Sequence, residues 1–216
     1  MDTRIVQKHK LLNRWAHWVN FPVLALMVWS GLLIYWANDI YTLFGHKVVP
    51  TWVFDTFNLK KQLATGLAWH FALMWLFSFN GLAYVVYMGW AGGWREVFPN
   101  KNSFKEALQV MLYDLKLSKV HPPQKKYNGA QKIAYSSIIF MGAGSLASGL
   151  AIYKPAQLGW LTALMGGYET SRLIHFLLTI GYCAFFFVHI VQVVRAGWNN
   201  FRGMVTGHEL IKGEGA

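Results

Sequence analysis

The stretch Leu173–Val194, LIHFLLTIGYCAFFFVHIVQVV, decides the fold. It contains no Asp, Glu, Lys or Arg. At about 1.5 Å of rise per residue it is long enough, as a helix, to cross a hydrocarbon core about 30 Å thick. His175 and His189 lie inside it, fourteen residues apart. That interval is about 1400° of helical rotation, roughly 40° short of four full turns, so both imidazoles leave one face. Along the axis they are separated by about 21 Å. Imidazoles in lipid are costly and mark function. Two on one face at this spacing point to two haems stacked across a membrane, each held by an axial histidine.

The composition agrees with a membrane class. The chain is 55% hydrophobic and only 13% charged, about half the charged fraction of a soluble domain. Four segments are apolar enough to span, about residues 15–37, 62–90, 132–153 and 171–196. The first is too long for a signal-peptide core, and Tyr35, Trp36 and Asn38 stand where small cleavage-site residues belong. Residues 1–216 therefore read as a single membrane domain.

Charge supplies an orientation. Arg4, Lys8, Lys10 and Arg14 precede the first span. Arg95, Lys101, Lys105, Lys116, Lys119, Lys125, Lys126 and Lys132 fill the second connection and the mouth of the third span, and Arg195, Arg202 and Lys212 follow the fourth. The opposite side holds Lys47, Lys60, Lys61, Lys154 and Arg172. By the positive-inside rule both termini and the second connection are cytoplasmic, and the net charge of +11 is mainly a topology signal, not a nucleic-acid patch. Trp15, Trp36, Trp90, Trp160 and Trp198 fall near span ends, as an aromatic belt requires. Residues 104–117, FKEALQVMLYDLKL, read as an amphipathic helix on the cytoplasmic surface, and 156–165 as a similar short segment outside. Cys183 cannot form an internal disulfide and reads as a small buried apolar residue.

Of eight histidines, His17, His70, His175 and His189 fall within spans. In an antiparallel bundle His70 matches the depth of His175 near the outer surface, and His17 that of His189 near the inner one. The expectation is an all-α integral membrane protein, a four-transmembrane-helix bundle holding two stacked b haems. With no C-x-x-C-H motif, the haems are non-covalent. A porphyrin between helices needs close backbone approach, which Gly31 and Gly81 allow; the small residues Gly142, Gly144, Ser148 and Gly149 of span three serve either clearance or ordinary packing. Arg14 and Arg172 are placed for haem propionates, or equally for snorkelling. His9, His46, His121 and His208 read as solvated.

These residues bring a resemblance into view. Asn13-Arg-Trp-Ala-His17-Trp, His70, the Leu173-Ile-His175 to His189 pair and Lys126-Tyr-Asn-Gly-Ala-Gln131-Lys resemble the di-haem cytochrome b subunits of bacterial respiratory complexes. That family includes the gamma subunits of membrane formate dehydrogenases and the cytochrome b subunits of nickel–iron hydrogenase and thiosulfate-reductase type. The resemblance covers about residues 10–207. It implies haem ligation by His17, His70, His175 and His189 with the same two pairings, and a quinone beside the cytoplasmic haem against Asn128 and Gln131. It further implies an extracytoplasmic catalytic partner, a molybdenum or nickel–iron oxidoreductase reached directly or through an iron–sulfur subunit. Amides at positions 128 and 131 suit a quinone carbonyl, with Tyr127 and Tyr135 as auxiliaries; capping of the helix that starts there is the competing role.

The reading is a membrane subunit that moves electrons between that partner and the quinone pool, with no catalytic nucleophile or acid–base dyad of its own. Two alternatives stay open: a stand-alone cytochrome b acting as a superoxide or quinol oxidoreductase, and a non-redox proton or ion relay built on the histidines.

Overall fold

The computed structural model describes residues 3–120 and 127–212; His121, Lys125 and Lys126 of the second connection lie outside the described residues. The elements in chain order are β1 (Thr3–Gln7), α1 (Leu11–Tyr35), β2 (Thr42–Leu43), β3 (His46–Lys47), α2 (Thr51–Thr56), α3 (Leu63–Trp90), α4 (Trp94–Val97), α5 (Ser103–Asp114), α6 (Gly129–Tyr153), α7 (Gly159–Leu164), α8 (Tyr168–Thr206) and β4 (His208–Lys212). Among the described residues α1, α3, α6 and α8 are each long and apolar enough to cross a membrane. The chain is an all-α integral membrane protein in architecture, with only short two-stranded ribbons added. It divides into two compact units, His9–Tyr84 and the remainder, the division falling inside α3.

The burial pattern is that of a protein whose solvent is lipid. Phe79, Leu82, Phe140 and Phe187 are exposed, whereas Ser30, Ser148 and Ser171 are fully buried. Lipid tails are as apolar as a leucine side chain, so helices gain little by hiding apolar groups from them. Association comes instead from close packing at small residues and from polar groups turned inward. Cys183 follows the same rule and corrects the expectation of burial: it is exposed on α8, on a face where an apolar thiol costs nothing against lipid.

In the unit His9–Tyr84, α1 and α3 approach at Gly66, where an added Cβ would lie 2.7 Å from the Cβ of Leu33 and 3.1 Å from the Ser30 carbonyl oxygen. Asn80 Nδ2 donates to the Ala16 carbonyl across the same pair, 3.0 Å. The ribbon of β2 and β3 turns through Phe44 and Gly45, both with positive φ (50° and 79°), as a two-residue hairpin requires. Lys47 pairs with Asp39 beside it.

In the other unit α6 packs on α8 through Gly144, with Leu178 3.1 Å from an added Cβ, and through Gly181, with Met141 at 2.8 Å. The backbone of α8 breaks at Gly197 (φ 79°, ψ 175°), one residue past the span read from the sequence. A side chain there would be strained, so glycine sets the elbow. Beyond it the helix ends on Gly207 in the left-handed conformation, its N–H on the Gly203 carbonyl at 2.9 Å. The chain then enters β4, which pairs antiparallel with β1, Thr3 opposite Lys212. Lys8 Nζ reaches Asn200 Oδ1 (2.9 Å) and Glu209 (2.5 Å), and Asn199 exchanges two bonds with Leu210. The basic arm and tail are thus joined, a pairing that charge alone did not announce.

The surface helix α5 stops at Asp114, short of the expected Leu117, because Lys116 takes φ 59° and turns the chain. Phe104, Leu108, Met111 and Leu115, at helical spacing, are exposed as one apolar stripe, while Ser103 and Glu106 are buried toward α6. Asp114 accepts from Gln192 and Arg195 of α8, both at 2.9 Å. The helix is held on α6 by Gly129, where a Cβ would fall 2.2 Å from the Ser103 carbonyl oxygen and 2.6 Å from the Glu106 Cβ. Gly129→Ala is therefore expected to cost about 1–3 kcal/mol, as overpacking does. A lowered thermal midpoint in detergent, with faster hydrogen exchange over 103–114, is the measurement.

Candidate functional site

The unit His9–Tyr84 places His70 of α3 against Ser30 and Gly31 of α1. Ser30 Oγ lies 3.1 Å from the Met27 carbonyl oxygen and 3.0 Å from His70 Nδ1. A hydroxyl has one hydrogen to donate. With that hydrogen on the Met27 carbonyl, the oxygen accepts at the imidazole, an arrangement that takes the Nδ1–H tautomer of His70. Gly31, next in sequence, leaves the ring edge open: a Cβ there would be 3.6 Å from His70 Cε1. Gly66, one turn before His70, supplies the close approach that brings these groups together.

The other unit repeats the arrangement. Ser148 Oγ donates to the Gly144 carbonyl at 2.7 Å and lies 3.0 Å from His175 Nδ1, and a Cβ on Gly149 would be 3.3 Å from His175 Cε1. The same placing of hydrogens takes the Nδ1–H tautomer of His175, whose imidazole also hydrogen-bonds the Ser145 backbone. The Ser-Gly dipeptide occurs in each unit, at Ser30-Gly31 and Ser148-Gly149, set against a histidine of the partner helix. Ser30 was not legible as a site residue; the repeated dipeptide is the signal that could have found it.

His17 is half-buried on α1 with its ring edge-on to Trp18, 5.1 Å between centroids. His189 is half-buried on α8 and stacks on Phe185 one turn earlier, 5.8 Å and 7° between planes. Arg14 lies half-buried in the first turns of α1, three residues before His17. Arg172 is turned to Glu169 at 3.1 Å and lies over the Tyr168 ring. Gly81 is exposed with nothing within 4 Å of an added Cβ.

Asn128 and Gln131 form a capping box at the start of α6. Asn128 Oδ1 accepts from the Gln131 N–H at 2.9 Å, and Gln131 Oε1 accepts from the Asn128 N–H at 3.0 Å. Both bonds use the amide oxygens, which fixes each side chain and leaves its NH2 group as a donor. Tyr127 and Tyr135 meet edge to face beside them, 5.4 Å between centroids.

Residues 8–207 match the family described as prokaryotic cytochrome b561. The chain belongs to that family. It is also 31% identical, over 96% of its length and all of the relative's, to a putative protein-methionine-sulfoxide reductase subunit, YedZ1, of Azospira oryzae. A member of the cytochrome b561 family is a multi-pass membrane electron-transport protein whose prosthetic group is haem b. The donor set fits that group. Among the described residues no three His, Cys, Asp or Glu side chains gather to hold a bare ion. A porphyrin supplies four nitrogens itself and asks the protein only for axial ligands. His70 and His175 are imidazoles of the kind it takes, each with a glycine against the ring edge.

Because the cap needs only the Asn128 oxygen, Asn128→Asp should keep the stability of this cytochrome in detergent. Asn128→Ala should lower it by about 1 kcal/mol, the usual cost of a lost N-cap. Thermal unfolding of the two variants side by side checks this.

Proposed function

We propose that this chain is the membrane subunit of a bacterial inner-membrane oxidoreductase, carrying electrons through two b haems between an extracytoplasmic catalytic subunit and the quinone pool. His70 with His175 would hold the outer haem and His17 with His189 the inner one, with both termini cytoplasmic. The observation that carries the reading is that His70 and His175, one in each unit, each lie 3.0 Å through Nδ1 from a buried serine hydroxyl, with a glycine against the ring edge. When bound, haem with two axial imidazoles supplies one-electron transfer with no open coordination position.

The chain's own residues do the rest. Apolar exposed faces on α1, α3, α6 and α8 keep the histidines in lipid, away from water. The capping box holds two amide NH2 donors at the mouth of α6, at the depth expected for the inner haem, where a quinone oxygen would accept them. Basic residues on the same side keep this end at the cytoplasm, so protons exchange there while electrons pass to the opposite face. The word subunit in the relative's name favours a partnered protein over a stand-alone one, and a reductase partner favours flow from quinol to haem to partner. That partner would be a molybdenum or nickel–iron enzyme, docked directly or through an iron–sulfur subunit.

Pyridine haemochrome analysis of purified protein is expected to give two non-covalent haems b per chain; absence of a Soret band would sink the proposal. His70→Ala or His175→Ala should remove one redox transition, and His17→Ala or His189→Ala the other. If His70→Ala and His17→Ala abolished the same transition, the pairing would be wrong. Asn128→Asp and Gln131→Ala should leave both haems bound yet slow their reoxidation by a quinone analogue about tenfold or more, since a hydrogen bond is worth about 1 kcal/mol and these also orient the ring. Stopped-flow spectra showing reoxidation at the wild-type rate would move the quinone elsewhere.

A further inference from the structure

Helix α5 is held at both ends by the ends of membrane spans. Ser103 and Glu106 pack against Gly129 at the mouth of α6. Asp114 accepts from Gln192 and Arg195 of α8, where the apolar run that closes at Val194 gives out. The helix therefore runs along the level at which spans leave hydrocarbon, with Phe104, Leu108, Met111 and Leu115 exposed on its side away from α6. Four lysines accompany that stripe. Lys105 comes about 60° round the helix from Leu108; Lys101 precedes α5, and Lys116 and Lys119 follow it. All four are exposed, and none makes an ion pair among the described residues. The acids of residues 101–119 are Glu106, which is buried, and Asp114, which is bound to Gln192 and Arg195. The uncompensated charge beside the stripe is thus all positive.

We propose that α5 and its flanking lysines form a docking surface for anionic phospholipid. The stripe enters the boundary between headgroups and acyl chains, and Lys101, Lys105, Lys116 and Lys119 meet lipid phosphates. Lysine stems lie along apolar surface while their ammonium groups stay at headgroup level. Each lysine near an anionic surface strengthens association about fivefold, an attraction that salt screens. A zwitterionic surface buries the stripe equally well but offers the lysines no net charge, so the segment discriminates lipids by charge. The anchoring of both ends at span mouths favours lipid over a soluble protein, which would reach the stripe only by displacing the bilayer. Lipid that holds α5 also steadies the start of α6, through the contact at Gly129.

The test places the purified full chain in nanodiscs of phosphatidylcholine alone, or of phosphatidylcholine mixed with phosphatidylglycerol, and reads hydrogen exchange. Amides over 103–114 are expected to exchange about tenfold or more slowly with phosphatidylglycerol present, and added salt should remove that difference. Exchange within 173–194 of α8 should be the same in both lipids. In a variant combining Lys101→Gln, Lys105→Gln, Lys116→Gln and Lys119→Gln, the protection seen in phosphatidylcholine should remain and the gain from phosphatidylglycerol should vanish. Leu108→Ser should instead speed exchange over 103–114 in both lipids. Glycerol phosphate added to phosphatidylcholine discs should reproduce none of the gain, since a free anion brings no charged surface.

Equal exchange over 103–114 in the two lipids would overturn the proposal, as would a phosphatidylglycerol effect that survives in the glutamine variant. So would the same gain from free glycerol phosphate, the mark of a simple anion site. Protection that appears only with two chains in one disc, whatever the lipid, would assign the stripe to a second copy and overturn it as well.

Discussion

Everything here depends on backbones coming close enough for a serine to touch a histidine. In lipid the hydrophobic effect cannot press helices together, so approach must be permitted by missing side chains. Gly66 permits it between α1 and α3; Gly144 and Gly181 permit it between α6 and α8. Only at such separation do the hydroxyls of Ser30 and Ser148 lie 3.0 Å from Nδ1 of His70 and His175. An imidazole N–H without an acceptor in that setting would cost about 1–3 kcal/mol. The glycines are thus part of the histidine geometry although none is bonded to an imidazole.

That dependence explains what the sequence disclosed. The spans, the surface helix and the family were legible because long apolar runs, positive charge on one side and histidines at fixed spacing are one-dimensional signals. The Ser-Gly device was not, since its meaning lies in which helix faces which, a two-helix property that a single-chain periodicity does not carry. Cys183 misled for a related reason: apolar residues point inward in water, but in lipid the outside is equally apolar. The ribbon of β1 and β4 was hidden because its strands lie at opposite ends of the chain, and charge counting treats both only as basic tails.

At Asn128 and Gln131 the capping role that the structure shows does not exclude the proposed quinone role. Capping takes the oxygens, and recognition of a carbonyl needs the NH2 groups, so one pair of amides can satisfy both. The cap also makes recognition cheaper. A side chain already held at its oxygen loses little rotamer freedom when its nitrogen meets a ligand, whereas a free glutamine loses up to about 2 kcal/mol.

The position of that loop is in turn fixed by α5. Its inner face is locked onto the start of α6 at Gly129, its C-terminal Asp114 is tied to Gln192 and Arg195 beyond His189 on α8, and its outer face is an apolar stripe. A helix with one face on protein and one apolar face outward lies flat at the membrane surface. The amides at the mouth of α6 therefore sit at interface depth because α5 does, and His189 lies three residues before Gln192 and six before Arg195, the two side chains that hold α5 there. A quinone bound at these amides, as proposed, would meet them at the same depth, so the helix that looks peripheral would set where electrons and protons part.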